Sequence, residues 1–123
     1  MAGERVLVVE DNERNMKLVR DVLEASGYRA IEATTGEEAV ELALEQAPAL
    51  VLMDVRLPGI DGIEALARLR SDERTASIPA LALTAQAMQG DRERFLEAGF
   101  DGYLSKPVDI LELVAAVREH CGG

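Results

Sequence analysis

Three carboxylates stand where apolar runs stop: Glu10 and Asp11 after Val6-Leu7-Val8-Val9, and Asp54 after Leu50-Val51-Leu52-Met53. In a sheet of side-by-side strands, carboxylates at two strand ends can meet at one point. Like charges gathered in this way need a cation. An all-oxygen donor set suits a hard ion such as Mg2+, with Mn2+ as an alternative. An aspartate beside such an ion can accept a phosphoryl group as an acyl phosphate. Phosphoryl transfer asks little beyond positioning and neutralisation of the equatorial oxygens. Thr84, closing the run Pro79–Thr84, offers a hydroxyl, and Lys106, just past Gly102–Ser105, offers a cation. Asp54 is therefore the candidate nucleophile, and Glu10 and Asp11 are the candidate ion holders. Thr84 and Lys106 are the candidate partners of the phosphoryl oxygens.

Each residue alone has an ordinary explanation. Glu10 or Asp11 could cap the helix that follows. Asp54 could cap the loop after its strand, although the end of an apolar strand is a poor place for an idle charge. Thr84 alone is a strand-end hydroxyl, and Lys106 alone a solvated lysine. Lys106-Pro107 is a plain turn or a cis peptide. Tyr103 reads as half-buried packing, and His120 as a favourable contact with a helix C-terminus. Met16, Met53 and Met88 read as core filler or surface. The argument for chemistry is that all the polar candidates fall at one edge of the sheet.

Five strand-plus-helix units must position them. Arg5 to Glu10 reads as a strand and Asn12 to Ala25 as a helix with Leu18, Val19, Val22 and Leu23 on one face, stopped by Gly27. Arg29 to Ala33 is the second strand. Thr35-Gly36-Glu37-Glu38 has capping-box spacing ahead of the stripe Ala39, Val40, Ala43 and Leu44. Ala49 to Asp54 is the third strand, 57–62 a turn-rich loop, and Ile63 to Arg70 a helix. Ser71 to Ser77 is polar loop, Pro79 to Thr84 the fourth strand, Met88 to Ala98 a helix, and Gly102 to Ser105 a short fifth strand. Asp109 then caps a last helix with Ile110, Leu113, Val114 and Val117 on one face. Strands one, three and four are apolar without alternation, which predicts burial on both faces of a parallel sheet with helices on each side. Five units fit a doubly wound α/β sheet in the flavodoxin-like order 2-1-3-4-5 rather than an eight-unit barrel. In that order strands one and three are neighbours, and ligands bind outside their carboxyl ends.

The length, 123 residues, predicts one domain. A net charge of −10 disfavours nucleic acid as a partner. No apolar run approaches the roughly 18 residues of a membrane span, and no leader peptide is apparent, so the expectation is a cytoplasmic protein without membrane insertion. The lone Cys121 cannot form an internal disulfide.

Together, Glu10-Asp11, Asp54, Leu57-Pro58-Gly59-Ile60-Asp61-Gly62, Thr84-Ala85 and Lys106-Pro107 resemble the receiver domain of bacterial response regulators over almost the whole chain. The stretch Val9 to Leu18 looks most like a single-domain cell-cycle regulator of that family. The resemblance implies a two-component phosphorelay in which a histidine kinase or histidine phosphotransfer protein donates phosphate to Asp54. It implies that Glu10, Asp11, Asp54 and the backbone carbonyl of Arg56 hold Mg2+, and that Lys106 pairs with the phosphate. Thr84 would turn inward, Tyr103 would follow by changing rotamer, and a downstream regulatory protein or kinase would read the altered surface of the fourth helix, fifth strand and fifth helix. Ala85 matches the small residue beside the phosphate. Arg56 and Gln86 occupy positions that tune phosphate lifetime. On this reading residues 1–123 form one receiver domain with no output domain, and the protein is no enzyme beyond its own phosphorylation and dephosphorylation.

Other readings carry different requirements. The chain could be a receiver excised from a hybrid histidine kinase. A Mg2+-dependent phosphatase of the haloacid dehalogenase type wants a second Asp where Arg56 stands. A flavin carrier wants a hydroxyl- and Gly-rich phosphate loop and stacking aromatics, but the chain has Asp11-Asn12-Glu13 and only 3% aromatics. A receiver-like adaptor could bind partners without phosphorylation.

Overall fold

In the computed structural model, residues 3–85 and 89–121 are described, with residues 89–92 described by backbone alone. Gln86 and Met88 lie outside the described residues. The chain alternates strand and helix: β1 (Arg5–Val9), α1 (Glu13–Ala25), β2 (Arg29–Ala33), α2 (Gly36–Gln46), β3 (Leu50–Asp54), α3 (Gly62–Arg70), β4 (Ala80–Thr84), α4 (Gln89–Ala98), β5 (Gly102–Ser105) and α5 (Ile110–Cys121). All strand pairs are parallel, in the order β2-β1-β3-β4-β5.

Successive strand residues feed two cores, one on each face of the sheet. Leu7, Val9, Val51, Met53 and Ala82 pack with Ala39, Ala43, Leu66, Leu69 and Phe95 from α2, α3 and α4. Val6, Val8, Leu50, Leu52, Leu81 and Leu83 pack with Met16, Val19, Leu23, Leu113 and Val117 from α1 and α5. Every residue of β3 and β4 is buried, which is why neither strand alternates. Each fully buried Leu or Val contributes about 1.5–3 kcal/mol, so the central strands are the most strongly anchored part of the domain.

Helix ends are set locally. Asn12 caps α1 by accepting hydrogen bonds from the N–H groups of Arg14 and Asn15, so neither Glu10 nor Asp11 is the cap. Asp61, not Asp54, caps α3 through the Glu64 N–H. Thr35 caps α2 through the Glu38 N–H, but Glu38 reaches back to the N–H of Thr34 rather than Thr35, so the capping box is offset by one residue. One expected core face is rotated and another is shortened. In α1, Leu18 is 37% exposed, and Met16 packs inward instead, because a neighbouring apolar stripe satisfied the same periodicity. In α5, Leu113 and Val117 are fully buried as expected, and only Ile110, at the start of the helix, stays outside at 51% exposed. The polar stretch after α3 is irregular as expected, yet Thr75 is fully buried, its hydroxyl donating to the Leu69 carbonyl at 2.6 Å.

Candidate functional site

The sheet order brings β1 and β3 side by side, with Val9 opposite Met53. The residues that follow, Glu10-Asp11 and Asp54, therefore emerge together. One carboxylate oxygen from each of Glu10, Asp11 and Asp54 lies within 4.8 Å of the others. Glu10 is 1% exposed and Asp54 6%, while Asp11 is open to solvent. The loop after β3 is drawn tight by backbone packing. The Gly62 N–H donates to the Val55 carbonyl at 2.9 Å, and a Cβ on Gly62 would collide with the Asp54 carbonyl and stand 2.9 Å from Val55 Cα. Asp54 Oδ1 accepts the Arg56 N–H at 2.9 Å, which fixes that rotamer.

Lys106 enters from the end of β5, where its N–H donates to the Thr84 carbonyl at 2.8 Å and the Lys106–Pro107 peptide is cis. Its ammonium donates to Asp54 Oδ2 at 2.7 Å and stands 2.6 Å from Glu10 Oε1. The second contact pairs the ammonium with a buried carboxylate oxygen that meets no other donor among the described residues. Burial raises the pKa of the Glu10 carboxyl, and Asp54 adds to the rise. Lys106 and the Asn12 N–H oppose it without reversing it. For Lys106, burial pulls the pKa down most strongly as a single cause, but the hydrogen bonds and charges of Asp54 and Glu10 together outweigh it and the net direction is up.

Three carboxylates against one ammonium leave the cluster net negative. A buried carboxylate whose charge one shared ammonium only partly offsets, two further acids within reach and an open mouth at Asp11 together fit a divalent hard cation. In front of Asp54 a cavity of about 220 Å³ is lined by Val55, Arg56, Thr84, Ala85, Arg94, Phe95 and Lys106. Of the residues singled out from sequence, Asp54, Arg56, Thr84, Ala85 and Lys106 line it, and Glu10 and Asp11 meet Asp54 in the carboxylate cluster. Tyr103 does neither. It is half-buried on β5, lines a separate surface depression with Leu96, Asp101 and Gly102, and packs near Phe95 of the cavity wall, whose ring centre lies 6.5 Å from its own. Arg94 and Phe95 were not expected. Their only signal is position, since α4 follows the strand that ends in Thr84. His120 Nδ1 lies 2.8 Å from the Ala116 carbonyl, one turn back on α5 and away from the cluster. No helix of the described residues is long and apolar enough to cross a membrane.

Comparison with known proteins identifies the family and agrees with the fold. Residues 6–118 match the family model of the response regulator receiver domain. The chain is 45% identical over 117 residues to the polar-differentiation response regulator DivK of Brucella ovis, covering 95% of both proteins. It is 40% identical, with a TM-score of 0.91, to the receiver domain of a sensor histidine kinase from Pseudomonas aeruginosa, described with a magnesium ion in its active-site cleft. That match covers 99% of this chain and all of the other. It is 30% identical, again with a TM-score of 0.91, to the receiver domain of the Saccharomyces cerevisiae response regulator Ssk1, co-crystallised with a histidine phosphotransfer protein and matched over 98% of this chain and 90% of the other. On sequence and fold alike, the chain belongs to the response regulator receiver domain family.

Proposed function

We propose that this protein is a phosphorelay response regulator that accepts a phosphoryl group on Asp54 in a Mg2+-dependent step. It would then signal through a changed protein-contact surface. The observation that carries the reading is the convergence of Glu10, Asp11 and Asp54 within reach of one ion, with Lys106 paired to Asp54 and Glu10 and an open cavity in front of Asp54 and Lys106. Glu10, Asp11, Asp54 and the Arg56 carbonyl would hold the ion, which when bound supplies positive charge to the phosphoryl oxygens. An Asp54 carboxylate oxygen forms a bond to phosphorus as the donor's P–N bond breaks, and the donor imidazole leaves with the electron pair and is protonated by solvent. Lys106 holds the acceptor in place before transfer and pairs with a phosphoryl oxygen after it. Thr84 offers its hydroxyl from the neighbouring strand end, and Tyr103 reports the change at the outer surface. Phosphorylation would thus act as a local charge biasing a two-state surface.

The magnesium in the cleft of the Pseudomonas receiver supports the choice of ion. The yeast complex supports a histidine phosphotransfer protein, or a histidine kinase, as donor. The likeness to polar-differentiation regulators supports a downstream regulatory protein or kinase in cell-cycle control as the reader. The likeness to a histidine-kinase receiver supports a second setting, in which the same chemistry serves inside a larger kinase. The test is incubation with Mg2+ and acetyl phosphate, followed by intact-mass measurement. A single added phosphoryl group is expected, absent in Asp54→Asn and in metal-free buffer. An unmodified wild-type protein overturns the reading.

A further inference from the structure

The cavity in front of Asp54 has a cation that no expectation from sequence included. Arg94, carried by α4, lines it alongside Thr84, Lys106 and Phe95. An exposed arginine on a helix surface is ordinarily solvated and contributes little. Two features set this one apart. Its guanidinium carbon lies 5.6 Å from the centre of the Phe95 ring, a cation–π seat that limits its wandering. Phe95 is itself only 2% exposed and wedged against Phe100 and Tyr103, so the seat is rigid. A planar guanidinium held at the mouth of a cavity whose floor carries Asp54 is well formed to take two oxygens of a phosphoryl group at once.

Charge balance argues the same way. The cluster around Asp54 holds three carboxylates and one ammonium, and a phosphoryl group on Asp54 adds about one further negative charge. A divalent cation held by Glu10, Asp11 and Asp54 would neutralise one side of that group and Lys106 another, which would leave its outer oxygens toward the cavity that Arg94 lines. On the reading of Asp54 as a phosphoacceptor, we propose that Arg94 binds those outer oxygens directly and fastens α4 to the phosphorylated site.

The test is titration of the purified full chain with beryllofluoride, a phosphoryl mimic, at saturating Mg2+. Wild type, Arg94→Ala and Arg94→Lys are compared, with Asp54→Asn as control and Mg2+ affinity measured separately for each. Thermal melts confirm folding. Loss of a charge-assisted contact predicts about tenfold weaker beryllofluoride binding in Arg94→Ala. Arg94→Lys should recover only part, because an ammonium lacks the fork. Mg2+ affinity should stay equal or tighten slightly, since removing a cation by long-range field alone favours another cation. Equal beryllofluoride affinity in Arg94→Ala and wild type overturns the role of Arg94 and leaves the phosphoacceptor reading standing. Parallel losses for Mg2+ and beryllofluoride overturn it as well. A wild type with no Asp54-dependent response overturns both.

Discussion

Lys106 Nζ lies 2.7 Å from Asp54 Oδ2 although 52 residues separate the two in the chain. The contact ties the end of the central strand β3 to the end of the edge strand β5 at the candidate site, and both side chains are largely withdrawn from water, 16% and 9% exposed. Lys106→Met keeps the length of the side chain but strands the carboxylates of Glu10 and Asp54. Removing one partner of a buried pair costs up to 3–5 kcal/mol, and for a pair at a cavity floor near solvent about 1–3 kcal/mol is expected. Urea denaturation without metal should show this loss, and Mg2+ should restore part of it in the variant. A metal-independent midpoint equal to wild type would show that the ammonium does not balance the cluster.

Gly62→Ala distinguishes crowding from propensity. At a typical exposed helix start the change would stabilise by about 0.4–1 kcal/mol. Here the new methyl meets the backbone of Asp54 and Val55, so a loss of about 1–3 kcal/mol is expected. Beryllofluoride binding should weaken too, because the displaced backbone carries Asp54. Thermal denaturation and the same titration read both effects.

Arg70 is a cross-tie far from the cluster. Its guanidinium donates to the carbonyls of Ala76, Ile78 and Gly99 and to the Asp101 carboxylate. Arg70→Ala should cost about 2 kcal/mol by urea denaturation, the value of charge-assisted bonds whose carbonyl partners are left behind. Arg70→Lys should recover little, since a point charge cannot serve these four acceptors at once. Asp54 phosphorylation yield in the folded fraction should be unchanged.

Cys121 offers a pH prediction. Burial, with the Glu4 charge adding to it, raises its thiol from 9.0 to about 11. Because the folded pKa is raised, the contribution of the neutral thiol to stability is full below pH 9.0. It is lost as pH rises through about 11. Alkylation needs the thiolate, so iodoacetamide should label the folded protein far more slowly at pH 8 than the urea-unfolded chain. Equal rates would show that the thiol is not shielded by the α5 contacts.

Strand positions were legible because β3 and β4 are apolar without alternation up to their last residues, Asp54 and Thr84, a pattern that two-sided burial explains. The candidate site was legible as the sudden change of residue type at the ends of those strands. Other parts left no such mark. Periodicity in α1 accommodates either Leu18 or Met16 on the inner face, and only packing against β1 and α5 decides between them. The Arg70 cross-tie reaches mainly backbone carbonyls, which carry no residue identity. Arg94 depends on how α4 swings over the cavity after β4, and that angle follows from tertiary packing of Phe95.

Asp101 has a mechanical consequence. Its carboxylate accepts the Ala80 N–H at 2.8 Å and the Arg70 guanidinium, just before β5 begins. At the other end of β5 stands Lys106. The strand between them is the outermost of the sheet, paired on one side only. Asp101 anchors its root, and the pairing with β4 runs its full length. A displacement imposed at the Lys106 end is therefore shared with β4, and Tyr103, two residues from Asp101, moves less than Lys106, five residues from it.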